Sequence, residues 1–250
     1  MDKNKYLKRI KFTGNINVDN ETLIDLHEHH IMHVPFENID IHYKKSFDLE
    51  FDQVFKKIVD NQRGGFCYEL NYLFSNLLNE LEFSSKIISS QVFTATGVPG
   101  PLYDHMSIYI KTDKEYLADV GFGDLFIRPL EIKEGVQTDG RSFFKIEKYD
   151  AENYLLLMSN DDIDFQKKYI FNLTEVDVEC FQPLCFDKQT NPYSYFVQNI
   201  ICTKPTTTGR VTIFNNKLIE TSENGRLETI LVDDNDLKDQ LAKRFDIVIN

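Results

Sequence analysis

The apolar residues of this chain change their spacing once, and that change decides what the chain can fold into. Up to Leu81 they recur at three- and four-residue steps; from Lys86 onward they come in short β-branched and aromatic runs between turn residues. The first texture suits helices and the second strands, so the expected class is α+β, with an antiparallel sheet or barrel after the helices. Asp19 or Asn20 caps a helix through Thr22, Leu23, Leu26, His30 and His33, which Pro35 stops. A second helical stretch starts near Asp52 and carries Val54, Phe55, Ile58 and Val59. Beyond the break at Arg63-Gly64-Gly65, the run Phe66, Leu70, Leu73, Phe74, Leu77, Leu78 and Leu81 predicts an amphipathic helix of about four turns with Cys67 in its first turn. Strands are expected over 87–96, 105–110, 115–120, 143–147, 154–158 and 169–171, with a loop at Gly97-Val98-Pro99-Gly100-Pro101. The tail reads as a hairpin, 210–214 with 218–221 through Asn215-Asn216, and a closing helix carrying Leu237, Leu241 and Phe245.

With 42% hydrophobic residues against 27% charged, the 250-residue chain can bury a real core, which excludes disorder. Its net charge of −12 repels nucleic-acid backbones and anionic membrane headgroups, and leaves room only for a local basic pocket for one small anion. The charged N-terminus is not a signal peptide, no apolar run approaches a membrane span, and four cysteines need no disulfide framework, so a cytoplasmic setting is expected. Cys180, Cys185 and Cys202 lack paired zinc-site spacing and read as small buried hydrophobes.

Cys67 is different. It opens a helix, where unpaired backbone N–H groups and the positive end of the helix dipole favour an anion, the placement a nucleophilic cysteine needs. The preceding Gly64-Gly65 would keep side chains away from the path of a substrate to sulfur. A thiol nucleophile also needs a base and a group to orient that base. Four of the six histidines, His27, His29, His30 and His33, crowd one helix, and His42 follows it. The pattern His27-Glu28-His29-His30-Ile31 fails the zincin motif by one residue, and His29 with His33 reads as a solvated helix face, so no metal site is expected. His105 instead begins a strand whose Met106, Ile108 and Ile110 form the apolar face, which turns His105 to the other side. A three-residue turn at Lys111-Thr112-Asp113 pairs Ile110 with Lys114 and hence His105 with Asp119, placing both on one face. Cys, His and Asp in that order fit hydrolysis, amide exchange or acyl transfer through a thiol, as well as an inactive binding protein on the same fold.

Four motifs resemble those of the arylamine N-acetyltransferases. Arg63-Gly64-Gly65-Phe66-Cys67-Tyr68-Glu69-Leu70-Asn71 is similar to the family's cysteine motif and Pro35-Phe36-Glu37-Asn38 to its upstream motif. Asp119-Val120-Gly121-Phe122-Gly123 and Arg128-Pro129-Leu130 resemble its aspartate motif, and the separations of Cys67, His105 and Asp119 are similar too. The resemblance implies a helical bundle over 1–84, a central antiparallel β-barrel over 85–185 and a C-terminal α/β lid over 186–250, around a cysteine-proteinase-like core. It implies acetyl-coenzyme A as donor and an arylamine, arylhydrazine or arylhydroxylamine as acceptor, with no metal. By position, Cys67 would be the nucleophile, His105 its base and proton donor, and Asp119 the orienting carboxylate. Tyr68, Val92, Phe122 and Gly123 would line the substrate cleft and Phe196 would contact the coenzyme, while a Glu37–Arg63 bridge would support the cysteine loop. Two departures stand out: vertebrate members carry Thr-Gly before the histidine where this chain has Pro101-Leu102-Tyr103-Asp104, and Arg where it has Asp124.

Overall fold

Helices come first, as the spacing implies. In the computed structural model, which describes residues 1–249, α1 (Lys3–Arg9) is followed by α2 (Asn20–His33), whose cap is Asp19 accepting the Thr22 N–H at 2.8 Å. Pro35 forces Val34 into extended backbone and the helix ends there. Next come β1 (Phe36–Glu37), α3 (Ile39–His42) and α4 (Phe51–Phe55), which runs into a wider π turn, Lys56–Asp60. Then α5 (Cys67–Glu80) crosses the middle of the molecule. It is not one-sided as its leucines suggest: between Cys67 and Leu78 only Tyr72 and Asn76 escape full burial. Cys67, Asn71 and Ser75, at four-residue steps, form a second buried stripe that faces the strands.

Eight antiparallel strands follow: β2 (Ser84–Val92), β3 (His105–Lys111), β4 (Glu115–Ala118), β5 (Leu130–Glu131), β6 (Val136–Thr138), β7 (Phe143–Lys148), β8 (Tyr154–Ser159) and β9 (Gln166–Glu175). Their order is β5-β4-β3-β2-β9-β8-β7-β6. The Gln137 side chain of β6 bonds the main chain of Glu131 on β5 at 2.9 and 2.8 Å, so the two edges meet and the sheet curls into a barrel. Ile88, Tyr109, Leu117, Phe144, Leu156, Tyr169 and Phe171 fill its interior. The face of β3 opposite Met106, Ile108 and Ile110 is therefore the barrel interior, and both faces are buried.

One expected register is corrected. Lys111 pairs with Glu115 and Ile110 with Tyr116, because the loop is Thr112–Lys114, closed by a Thr112 N–H to Lys114 carbonyl bond of 2.8 Å. Relative to the expected pairing the shift is two residues, and a shift of two leaves every side chain on its own face. His105 and Asp119 still look the same way, as diagonal neighbours just past the last paired residues.

The remaining chain forms α6 (Gln182–Thr190), α7 (Tyr195–Gln198), β10 (Ile201–Thr206), β11 (Gly209–Phe214), β12 (Lys217–Ser222), β13 (Gly225–Ile230) and α8 (Asp234–Phe245). The sheet order β1-β10-β11-β12-β13 takes its edge strand from the helical region, which locks the two ends of the chain together. The β11–β12 hairpin turns at Asn215-Asn216, with Asn215 at φ 53°. Leu237, Leu241 and Phe245 of α8 are buried on this sheet.

Candidate active site

Residues 63–66 present Cys67. Phe66 is extended and its N–H donates to the Glu69 carboxylate at 2.8 Å, so helical backbone begins at Cys67. Gly64 and Gly65 do not open a path for substrate, as the sequence suggested; both are buried. They let the loop run directly against β1: a Cβ on Gly64 would lie 2.2 Å from the Pro35 carbonyl oxygen, and the Glu37 N–H donates to the Gly65 carbonyl at 2.9 Å. The Glu37–Arg63 bridge is present, with Arg63 Nε and Nη2 donating to Glu37 Oε1 at 2.9 and 2.7 Å. It belongs to a larger lattice. Arg63 also reaches Asp40 at 3.0 Å, and Lys57, aimed inward by the π turn, joins Asp40 at 3.1 Å to Glu69 at 2.9 Å. Burial opposes both cations, but the surrounding carboxylates raise the pKa of each above its ordinary value.

The second buried stripe of α5 meets the barrel rim. His105 Nε2 lies 2.7 Å from Asp119 Oδ2, with both side chains buried. Asn71 donates to Asp119 Oδ1 at 2.9 Å, and the Gly121 N–H donates to the same oxygen at 3.0 Å. Burial alone would neutralise this pair. Asp119 overcomes it by charge and hydrogen bond, with Cys67 acting in the same direction, and the His105 pKa is raised to about 10 while that of Asp119 is lowered. With Nε2 turned to Asp119, Nδ1 is the ring nitrogen left for chemistry. A Cβ on Gly121 would lie 2.7 Å from the Cys67 carbonyl oxygen and 2.9 Å from its Cα, so the aspartate loop needs glycine to close onto the cysteine.

Three neighbours escaped the sequence reading. His27 donates from Nδ1 to the Ile127 carbonyl at 2.9 Å, which leaves Nε2 to accept the Asp119 N–H at 3.2 Å. Burial pushes its pKa down to about 4, so it stays a neutral strut. Tyr169 sets its ring 5.6 Å from His105, and among the described residues its buried hydroxyl has no hydrogen-bond partner. For Asn71 the available signal is a polar residue one turn after Cys67 on a leucine-rich helix. His29 and His33 are stacked and half-buried rather than solvated. Among the described residues no group of three His, Cys, Asp or Glu side chains could hold a metal ion.

Cys67 and His105 open into a cavity of about 420 Å³ with walls from every region of the chain. Val92, Phe122, Gly123 and Phe196 line it; Phe122 stands edge-on to His105, ring centres 5.4 Å apart. Tyr68 does not. It is fully buried, its hydroxyl donating to the carbonyls of Tyr103 and Asp104 at 2.9 and 2.8 Å, and so it anchors the segment before His105. Lys188, paired with Asp104 at 2.8 Å, and Arg210, paired with Asp124 at 3.0 Å, supply cations at the cavity wall. Phe36 joins the lining, and Asn38 ties α7 to the helical region by donating to the Phe196 and Asn199 carbonyls at 2.9 and 2.7 Å.

All four cysteines are free, and Cys180 is exposed, not buried as expected. Burial pushes the Cys185 thiol up to about 12 and Cys202 well up. A limiting dose of a haloacetamide at neutral pH is therefore expected to label Cys67 first and Cys180 more slowly, and to spare Cys185 and Cys202. Peptide mapping that finds Cys180 ahead of Cys67 would remove the case for an activated thiol.

A cysteine opening a helix beside a carboxylate-held imidazole, in a cleft of this size, defines an enzyme of the thiol acyl-transfer class. A family model described as N-acetyltransferase matches residues 19–250. The pineal gland isozyme NAT-10 of arylamine N-acetyltransferase from Gallus gallus is 31% identical over 100% of this chain and 95% of its own length. The chain belongs to the arylamine N-acetyltransferase family and is an acyltransferase. Among solved structures, an arylamine N-acetyltransferase from Bacillus cereus with a Cys-His-Glu triad superposes at TM-score 0.91, with 25% identity and 100% of both chains covered. One from Mycobacterium marinum in complex with CoA gives 0.89, with 25% identity over 98% of this chain and 93% of that one.

Proposed function

We propose that the chain moves an acetyl group from acetyl-coenzyme A to the nitrogen of an arylamine, arylhydrazine or arylhydroxylamine by double displacement through a thioester on Cys67. The observation that carries this is that Cys67 and His105 open into one cavity while Asp119, buried behind the imidazole, holds it at 2.7 Å. Family membership and the CoA complex of the Mycobacterium marinum relative support the donor. The Cys67 sulfur attacks the thioester carbonyl, the carbonyl carbon's bond to the coenzyme sulfur breaks, and His105 Nδ1 gives that sulfur its proton. The neutral ring then takes a proton from the attacking amine as the Cys67–acyl bond breaks. Asp119 holds Nε2–H throughout. Phe122, Phe196 and Val92 offer an apolar wall to an aromatic acceptor, and Lys188 and Arg210 offer charge to the anionic donor, in the order that alternating occupancy requires.

Intact mass after mixing with acetyl-coenzyme A and no acceptor is expected to show one acetyl group, mapping to Cys67. Initial rates should give parallel double-reciprocal lines. Intersecting lines together with full transfer by Cys67→Ala would mean that the amine attacks the bound coenzyme directly.

A further inference from the structure

A second cavity, of about 900 Å³, shares no lining residue with the catalytic cleft. It lies where α1, the π turn, the end of α2 and β10 meet, and five cations line it: Lys5, Lys8, Arg9, Lys11 and Lys204. The chain as a whole has 40 acidic residues to 28 basic ones, yet among the described residues that line the cavity only two, Asp60 and Asp246, carry carboxylates. Asp60 is taken by Lys5 at 3.0 Å. Among the described residues no carboxylate lies within 4 Å of Lys8, Arg9, Lys11 or Lys204. Two of these cations, Lys8 and Arg9, suit the C-terminal dipole of α1. That explanation does not extend to Lys11, beyond the helix, or to half-buried Lys204 on β10, whose pKa burial lowers although Asp246 opposes it, with Arg9 and Lys11 adding to the lowering. Like charges gathered at a cost to folding mark a place shaped for something else.

The donors are arranged unevenly. Arg9 gives Nε to the Ile58 carbonyl at 2.9 Å, Nη1 to His33 at 2.7 Å and Nη2 to Arg63 at 3.0 Å, so it is a fixed positive wall. Lys8, Lys11 and Lys204 have no protein acceptor among the described residues, so their ammonium groups are free to follow a ligand's oxygens. Beneath them lie the apolar side chains of Leu7, Phe12 and Val59. We propose that this cavity binds a nucleoside polyphosphate, its phosphates on the three lysines and its base against the apolar floor.

Titration calorimetry of the full chain with ADP tests this, with acetyl transfer assayed in parallel so that ADP in the catalytic cleft, which would inhibit transfer, is told apart from ADP in this cavity, which would not. Binding is expected, weakening as salt is added. The exposed pair Lys8→Glu/Lys11→Glu should weaken it at least about tenfold, and Lys204→Gln in the same direction, with acetyl transfer unchanged. Pyrophosphate in place of ADP should bind more weakly, for want of a base on the floor. Absence of ADP binding to the wild-type chain, equal affinity in the lysine double variant, or pyrophosphate binding as tightly as ADP would each overturn the proposal.

Discussion

Asp119→Asn is expected to fold normally and to lose acetyl transfer about ten-thousandfold. The asparagine oxygen can still accept from Asn71 and from the Gly121 N–H, so the loop keeps its bonds. Its amide NH2 would then face His105 Nε2, now 2.7 Å from a carboxylate oxygen, and a donor there forces Nε2 to accept. The ring proton moves to Nδ1, the nitrogen that takes protons from the amine in the proposed mechanism. The pH dependence shifts as well. In the wild type the imidazole stays protonated up to about pH 10, and its raised pKa adds stability that is full below the ordinary value of 6.5 and lost as pH rises through about 10. Without the carboxylate that contribution disappears, so the melting curves of the two proteins should draw together as pH rises from 6.5 to 10. Near-native turnover in a variant that is folded at neutral pH would show that Asp119 does not orient the ring.

The sequence exposed what depends on local period and lost what depends on which distant segments meet. α5, the β11–β12 hairpin and the β3–β4 hairpin are set by residues close in sequence, and each was legible. The His105–Asp119 pairing survived a wrong register because face, not partner, is what alternation encodes. β5 and β6 have two and three residues, too few for any alternation to show. β1 is a strand only because β10 comes back from the far end of the chain to pair with it. Lys57, Asp40 and Glu69 carry no sequence signal that would group them, since nothing local marks a lysine that a π turn will aim inward. The same holds for Gly64 and Gly65: the sequence shows that side chains are missing, but not whether a substrate or a strand takes the space.

The buried lattice behind Cys67 leads to the largest expected loss of stability. Two cations, Lys57 and Arg63, sit among three carboxylates, Glu37, Asp40 and Glu69, and the Glu37 side chain is 0% exposed. Arg63→Met fills a similar volume but leaves one ammonium among three carboxylates, with Glu37 farthest from any remaining cation contact. Removing one partner of a buried pair costs about 3–5 kcal/mol, a large share of the roughly 5–15 kcal/mol that holds a domain folded. The midpoint of urea unfolding should fall sharply at an unchanged slope. Transfer activity should fall with it, because residues 63–66 carry Cys67 to the cavity. The loss belongs to charge rather than to shape, so adding Glu37→Gln should restore most of it: the glutamine oxygen can keep the bond from the Ile39 N–H, now 2.7 Å long, without a buried charge to satisfy. A double variant as unstable as Arg63→Met alone would place the defect in packing of the arginine side chain, since a lattice held by its charges must gain when the stranded charge is removed.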